Sequence, residues 1–142
     1  MPYKKRVDTI RLIAANHGAL KGSPKLNAIV GELNRITTAG RLSTHNGWLL
    51  AVLHTTRSLD TMLAEIIAHK GWIVTKSSLG ASLITLAKYG ALTPVEQKGY
   101  QGNLVNVRNK YMHEAGAMPH KLGADSLLNE MHTCIATVLK NV

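Results

Sequence analysis

The spacing of apolar residues is the feature of this sequence that most limits its fold. Apolar side chains recur every three or four positions along almost the whole chain, and alternation of period two is nearly missing. A period of 3.6 residues places such side chains on one face of an α-helix, whereas period two marks a half-buried strand. Phe is absent and aromatic residues make up only 4% of the chain, so the core is built from Leu, Ile, Val, Ala and Met. The pattern predicts an all-α protein.

Capping residues and glycines divide the chain into helices joined by short connections. The predicted helices are, in order, residues 4–16, a segment that Ser23 caps with Pro24 at its first position, a long segment from Ser43 or Thr44 to about Lys70, residues 78–89, a segment from the Thr93 cap to Gly116, and a last one from about Asp125. A bend is expected at Gly99 or Gly102. Short connections favour antiparallel neighbours, which predicts an up-and-down helical bundle.

The length of 142 residues fits one domain of ordinary size. We predict a single domain over residues 1–142, in which four core helices occupy approximately residues 43–142. The first 42 residues would add one or two helices as an N-terminal extension.

Charge and cysteine content narrow the classes of partner and of chemistry. The formal net charge is +9, which favours polyanionic partners, nucleic acid first and acidic proteins second. Cys134 is the only cysteine, so an internal disulfide and a cysteine zinc cluster are excluded. Cys134 recurs with Met131, Ile135 and Val138 at helical spacing, which favours a buried, inert thiol over a nucleophile.

Neither a membrane segment nor a metal motif stands out in the sequence. No apolar run approaches the roughly 20 residues of a membrane helix, and the N-terminal stretch does not resemble a signal peptide. The seven histidines show no ligand spacing such as His-Glu-x-x-His. We therefore expect a cytoplasmic protein with no membrane partner, no bound metal and no cofactor.

Arg108 occupies an unusual position on the helix that begins after Thr93. On a helical wheel Leu104, Val107 and Tyr111 define the apolar arc, and Arg108 falls inside it. Asn109 and His113 lie on a separate polar strip. An unpaired buried guanidinium costs several kcal/mol. Arg108 therefore needs a carboxylate or phosphate partner, or it faces a second subunit.

Asp60 is the best carboxylate candidate for Arg108 within the chain. It sits at the margin of the apolar arc of the long helix, whereas Glu65 points away. The alternative is that Asp60 pairs on the surface with Arg57, one turn earlier. We expect Asp60 in a supporting role beside Arg108.

The stretch RNKYMHEAG, residues 108–116, resembles the motif of the HEPN superfamily, the higher eukaryotes and prokaryotes nucleotide-binding domains. That family is a small helical bundle whose hallmark is an Arg followed, after four to six residues, by a His, often with Asn directly after the Arg. Arg108, Asn109 and His113 match the form with four intervening residues. The resemblance covers roughly residues 43–142. One departure is Ala115, where a familiar subgroup carries a Tyr that a nucleotidyltransferase antitoxin modifies.

The resemblance implies a metal-independent endoribonuclease that acts as a homodimer with a composite site, often as a toxin or in phage defence. Arg108 and His113 would be catalytic, with Arg108 holding the phosphate and His113 transferring protons, while Asn109 orients His113 or the ribose. The products would carry 2′,3′-cyclic phosphates. The implied partners are RNA, a second copy and a cognate antitoxin or defence-system protein.

Basic side chains near the motif and at the N-terminus are candidates for binding RNA. They are Lys110, His120, Lys121, Lys4, Lys5 and Arg6. Two other functions stay open at this point. The domain could be a catalytically inactive HEPN-like module for dimerisation or RNA binding. It could also be a DNA-binding regulator with a helix-turn-helix around residues 19–36.

Overall fold

The structure, a computed structural model, describes residues 2–74 and 76–142, and within these ranges it contains helices and no strands. The all-α prediction is confirmed. The helices are α1 (Pro2–Asn16), α2 (Gly18–Lys21), α3 (Leu26–Arg41), α4 (His45–Lys70), α5 (Leu79–Lys88), α6 (Pro94–Tyr100), a π-helical segment (Gln101–Val105), α7 (Asn106–His113) and α8 (Lys121–Lys140).

Three of the six predicted helix starts agree with the observed capping residues. Thr44 accepts a hydrogen bond from the backbone of Gly47 at the start of α4, and Ser78 caps α5 in the same way. Thr93 and Glu96 form a full capping box ahead of α6. These contacts satisfy backbone N–H groups that have no partner inside the helix, which is why such residues predict helix starts well.

Other boundaries differ from the sequence prediction. The helix expected after Ser23 begins at Leu26, because the Ser23 hydroxyl accepts a hydrogen bond from the Lys25 backbone and holds a turn instead. The last helix begins at Lys121 rather than Asp125. The helix before it ends at His113 rather than Gly116.

Long-range hydrogen bonds fix the directions of the helices. α3 runs antiparallel to α4, since Ser23 donates to Glu65 and His54 lies against Glu32 farther along. α1 runs alongside α8 in the same direction. Arg6 near the start of α1 contacts His132, and His17, just after the end of α1, is hydrogen-bonded to the carbonyl of Leu139 near the end of α8. The predicted antiparallel arrangement holds for α3 and α4, which follow each other in sequence.

The N-terminal helices α1, α2 and α3 share one hydrophobic core with the helices that follow. Their buried side chains pack in one cluster with those of α4, α5 and α8; the N-terminal members include Val7, Ile10, Leu20, Ile29, Leu33 and Ile36. These three helices therefore pack into the bundle. In the described residues, no helix combines the length and hydropathy that crossing a bilayer requires.

Candidate functional site

The π-helical segment Gln101–Val105 determines how α7 presents its side chains. It lies where a bend was expected at Gly99 or Gly102, and the helix continues through it into α7. A π-turn takes up more residues than an α-turn, so it shifts the faces of the helix that follows. As a result Val107 and Tyr111 are only partly buried against the core. The wheel drawn from Leu104 had placed both on the buried arc.

Arg108 is half-buried on α7, consistent with its place at the apolar arc. Its Nη2 donates a hydrogen bond of 3.1 Å to Oδ1 of Asn109. Its Nε is fully shielded from solvent and has no hydrogen-bond partner among the described residues. A buried donor without a partner costs about 1–3 kcal/mol, so the placement of Arg108 lowers the stability of the fold.

Asp60 lies in the middle of α4, and α4 packs against α7. Burial raises the pKa of the Asp60 carboxyl above its usual value, and the charge of Arg108 opposes that rise. The two side chains form no ion pair within 4.0 Å in the described part of the chain. The other interpretation, a surface pair of Asp60 with Arg57, is wrong, because Arg57 Nη2 lies 3.3 Å from a carboxylate oxygen of Glu32.

Asn109 and His113 do not form the contact that was expected of them. The Asn109 side-chain oxygen accepts from Arg108, and no hydrogen bond joins Asn109 to His113 within the described ranges. Asn109 therefore positions the guanidinium rather than the imidazole. His113 is the last residue of α7 and its side chain is exposed. The motif thus offers a held, half-buried cation and, five residues along the same helix, an imidazole open to solvent.

Part of the predicted RNA-binding set lies around the end of the bundle where α7 stops and α8 starts. Lys110 is exposed on α7, and His120 precedes α8 with its ring 5.2 Å from that of His45. The first residue of α8, Lys121, pairs with Asp125 at 2.7 Å.

The N-terminal cations of the predicted set lie elsewhere. Arg6 contacts His132 at 2.9 Å, and His132 is about 16 Å along α8 from Lys121 at 1.5 Å per residue. Lys4 pairs with Asp8, and Lys5 is exposed. The structure therefore separates Lys4, Lys5 and Arg6 from Lys110, His120 and Lys121.

An ion cluster between α3 and α4 was not predicted from the sequence. The buried carboxylate of Glu32 lies 2.8 Å from His54 Nδ1, 3.1 Å from Arg35 and 3.3 Å from Arg57. Only the Glu32 and Arg35 pair, three residues apart on one helix, has a sequence signal. The other two partners come from α4, and helix pairing alone brings them together.

Two further titratable groups are shielded from solvent, Cys134 fully and His132 in part. Burial raises the pKa of the Cys134 thiol far above its ordinary value, which confirms a buried thiol that is unreactive at neutral pH. Burial, with a smaller contribution from Arg6, lowers the pKa of His132. Over residues 2–74 and 76–142, no group of three or more His, Cys, Asp or Glu side chains is arranged to hold a metal ion.

Comparison with known proteins gives no relative: the chain matches no family model, no curated protein and no solved structure.

Proposed function

We propose that the protein is a metal-independent endoribonuclease of HEPN type that acts as a homodimer. The observation that carries the proposal is the state of Arg108, a half-buried guanidinium whose Nη2 is held by Asn109. A phosphate would be contacted through the Nη atoms, because Nε is shielded from any ligand. The hydrogen bond from Nη2 to Asn109 would hold the plane of the guanidinium in place.

Cleavage of RNA without a metal requires a base, an acid and a cation at the phosphate. In the proposed reaction one His113 takes the proton of a ribose 2′-hydroxyl, and the 2′-oxygen attacks the adjacent phosphorus. The bond from phosphorus to the 5′-oxygen breaks, and a second, protonated His113 gives its proton to that oxygen. Arg108 stabilises the charge on the phosphate. The products are a 2′,3′-cyclic phosphate and a free 5′-hydroxyl.

A second copy of the chain supplies the second imidazole. Each chain has one His113, and one imidazole does not serve as base and acid in the same step. A symmetric dimer doubles both His113 and Arg108. The exposure of His113 at the end of α7 supports this arrangement, and Lys110, His120 and Lys121 at the same end would contact the RNA backbone. We further propose a role as a toxin or defence ribonuclease in the cytoplasm, restrained by a partner protein.

The test is cleavage of end-labelled RNA by the purified protein in the presence of a chelator. We expect cleavage with cyclic phosphate ends, abolished by Arg108→Ala and by His113→Ala. His69→Ala is the matched control, because His69 is also exposed but lies in the last turn of α4. Binding of RNA without cleavage would point to an inactive module, and preference for duplex DNA would point to a regulator. Either result contradicts the ribonuclease.

A further inference from the structure

The segment from the end of α4 to the start of α6 carries an exposed surface that the proposed reaction does not use. Residues 66–95 include Lys70, Lys76 and Lys88 and contain no Asp or Glu. These three lysines are exposed. Any ligand of this surface therefore meets positive charge with no acidic residue of the same segment to offset it.

Aliphatic side chains on the same surface face solvent. Ile73 is 75% exposed and Ile84 is 60% exposed. Both line a groove of about 450 Å³ whose other walls include Lys76 and Lys88. Large apolar groups that remain in contact with water and are grouped at one site mark an interaction surface.

Two aromatic rings lie beside the groove. The Trp72 and Tyr89 rings stack in parallel, 4.9 Å between centroids. Lys70 Nζ is 5.7 Å from the Trp72 centroid, and Lys88 Nζ is 5.7 Å from the Tyr89 centroid. The end of α4 places Trp72 there: Gly71 adopts a left-handed conformation, and the Trp72 backbone N–H returns to the Ile67 carbonyl.

We propose that this surface, Trp72, Ile73, Ile84, Tyr89 and the lysines around them, binds the face of an anionic lipid bilayer. Exposed aliphatic side chains enter the acyl region, Trp and Tyr prefer the headgroup level, and lysines contact anionic headgroups with their stems along apolar surface. This combination is typical of proteins that lie on a membrane without crossing it. The expectation of no membrane partner would then hold only for membrane-spanning segments.

Other occupants fit the observations less well. RNA would need open aromatic faces for base stacking, but each ring has one face against the other ring and an ammonium group over it. A symmetric second copy would bring the three lysines against the same three lysines. The surface is also separate from Arg108, which lies near Asp60, about 15 Å along α4 from Lys70.

The test is co-sedimentation with vesicles of phosphatidylcholine alone and with vesicles of phosphatidylcholine and phosphatidylglycerol in equal amounts. We expect binding to the anionic vesicles only, reduced by about tenfold in Ile73→Glu and in Ile84→Glu. Leu122→Glu is the matched control, since Leu122 is 78% exposed at the opposite end of the bundle. It introduces the same charge, and we expect it to bind like the unaltered protein.

Tryptophan fluorescence gives an independent readout. The chain has two tryptophans, so Trp48→Phe leaves Trp72 as the reporter. Its emission is expected to shift to the blue with anionic vesicles. Failure to bind anionic vesicles, or equal binding by the Ile73 and Leu122 variants, overturns the proposal. A response of Trp72 to single-stranded RNA, or self-association that Ile73→Glu abolishes, would also overturn it. None of these results depends on RNA cleavage.

Discussion

The guanidinium of Arg108 and the carboxylate of Asp60 lie on helices that pack together. The charge of Arg108 opposes the rise that burial causes in the pKa of Asp60, but no nitrogen of Arg108 lies within 4.0 Å of the carboxylate oxygens. The cation and the acid therefore compensate each other only in part, and Arg108 Nε keeps no partner among the described residues. A pair of this kind costs stability. The first two predictions concern this cost.

Replacing both partners is expected to stabilise the fold. In Asp60→Asn/Arg108→Met the half-buried charges and the unpartnered Nε are gone, so the free energy of unfolding should rise by about 1–2 kcal/mol. Asp60→Asn alone removes a carboxylate whose burial outweighs the attraction of Arg108, so it should also raise stability, but by less than the double variant. Urea denaturation at neutral pH measures both. A double variant less stable than the unaltered protein would contradict this account.

The titration of Asp60 provides a pH-dependent prediction. Burial raises the folded-state pKa above the ordinary value of 3.8, so the folded state binds the proton more tightly than the unfolded state. The stabilisation by the Asp60 proton is complete below pH 3.8 and is lost as the pH rises through the folded pKa. Arg108→Met removes the cation that opposes the rise, so the pKa should increase further. Carboxyl carbon chemical shifts report it; an unchanged pKa would show that the two groups do not interact.

A composite active site predicts that a dimer with one altered subunit is inactive. The proposed reaction needs the imidazoles of both chains, so a dimer of one unaltered and one His113→Ala subunit should not cleave RNA. After exchange of equal amounts roughly half of the dimers are mixed and about a quarter keep two unaltered subunits, so cleavage should fall to about a quarter of its rate at the same total protein. His69→Ala in place of His113→Ala is the control and should leave the rate unchanged. A fall to about one half, with exchange verified by a mass tag, would argue against a shared site.

The turn between α3 and α4 depends on a glycine. A Cβ at Gly47 would lie 2.6 Å from the Ala39 carbonyl oxygen and 2.8 Å from Leu42 Cβ. Gly47→Ala should therefore destabilise the protein by about 2–3 kcal/mol, because backbone must move. Gly31→Ala is the matched control. Gly31 lies inside α3 with nothing within 4 Å of its Cβ position.

The control variant is expected to be stabilised by about 0.5–1 kcal/mol, since alanine loses less conformational freedom in a helix than glycine. Thermal unfolding of the two variants compares them directly. Equal effects at the two positions would show that close packing at Gly47 is not limiting.

Local physics made most of the helices predictable from the sequence. Apolar spacing gave the helical class, and the caps at Thr44, Ser78 and Thr93 gave the starts of α4, α5 and α6, since a cap satisfies backbone donors only a few residues away. The residues Arg108, Asn109 and His113 were singled out by the resemblance of their types and spacing to the HEPN motif, and their roles stay predictions. The half-burial of Arg108 also followed from its position on the wheel.

The tertiary structure decided which side chains meet. The π-helical segment turned the faces of α7 relative to the core. Within α7 the side chain of Asn109 bonds Arg108 and not His113. The packing of α3 against α4 brings Arg57 into an ion pair with Glu32. Asp60 instead lies near Arg108. A helical period fixes which face a residue occupies within its own helix. The relative position and rotation of two helices depend on the packing of the whole core, which no local segment of the sequence specifies.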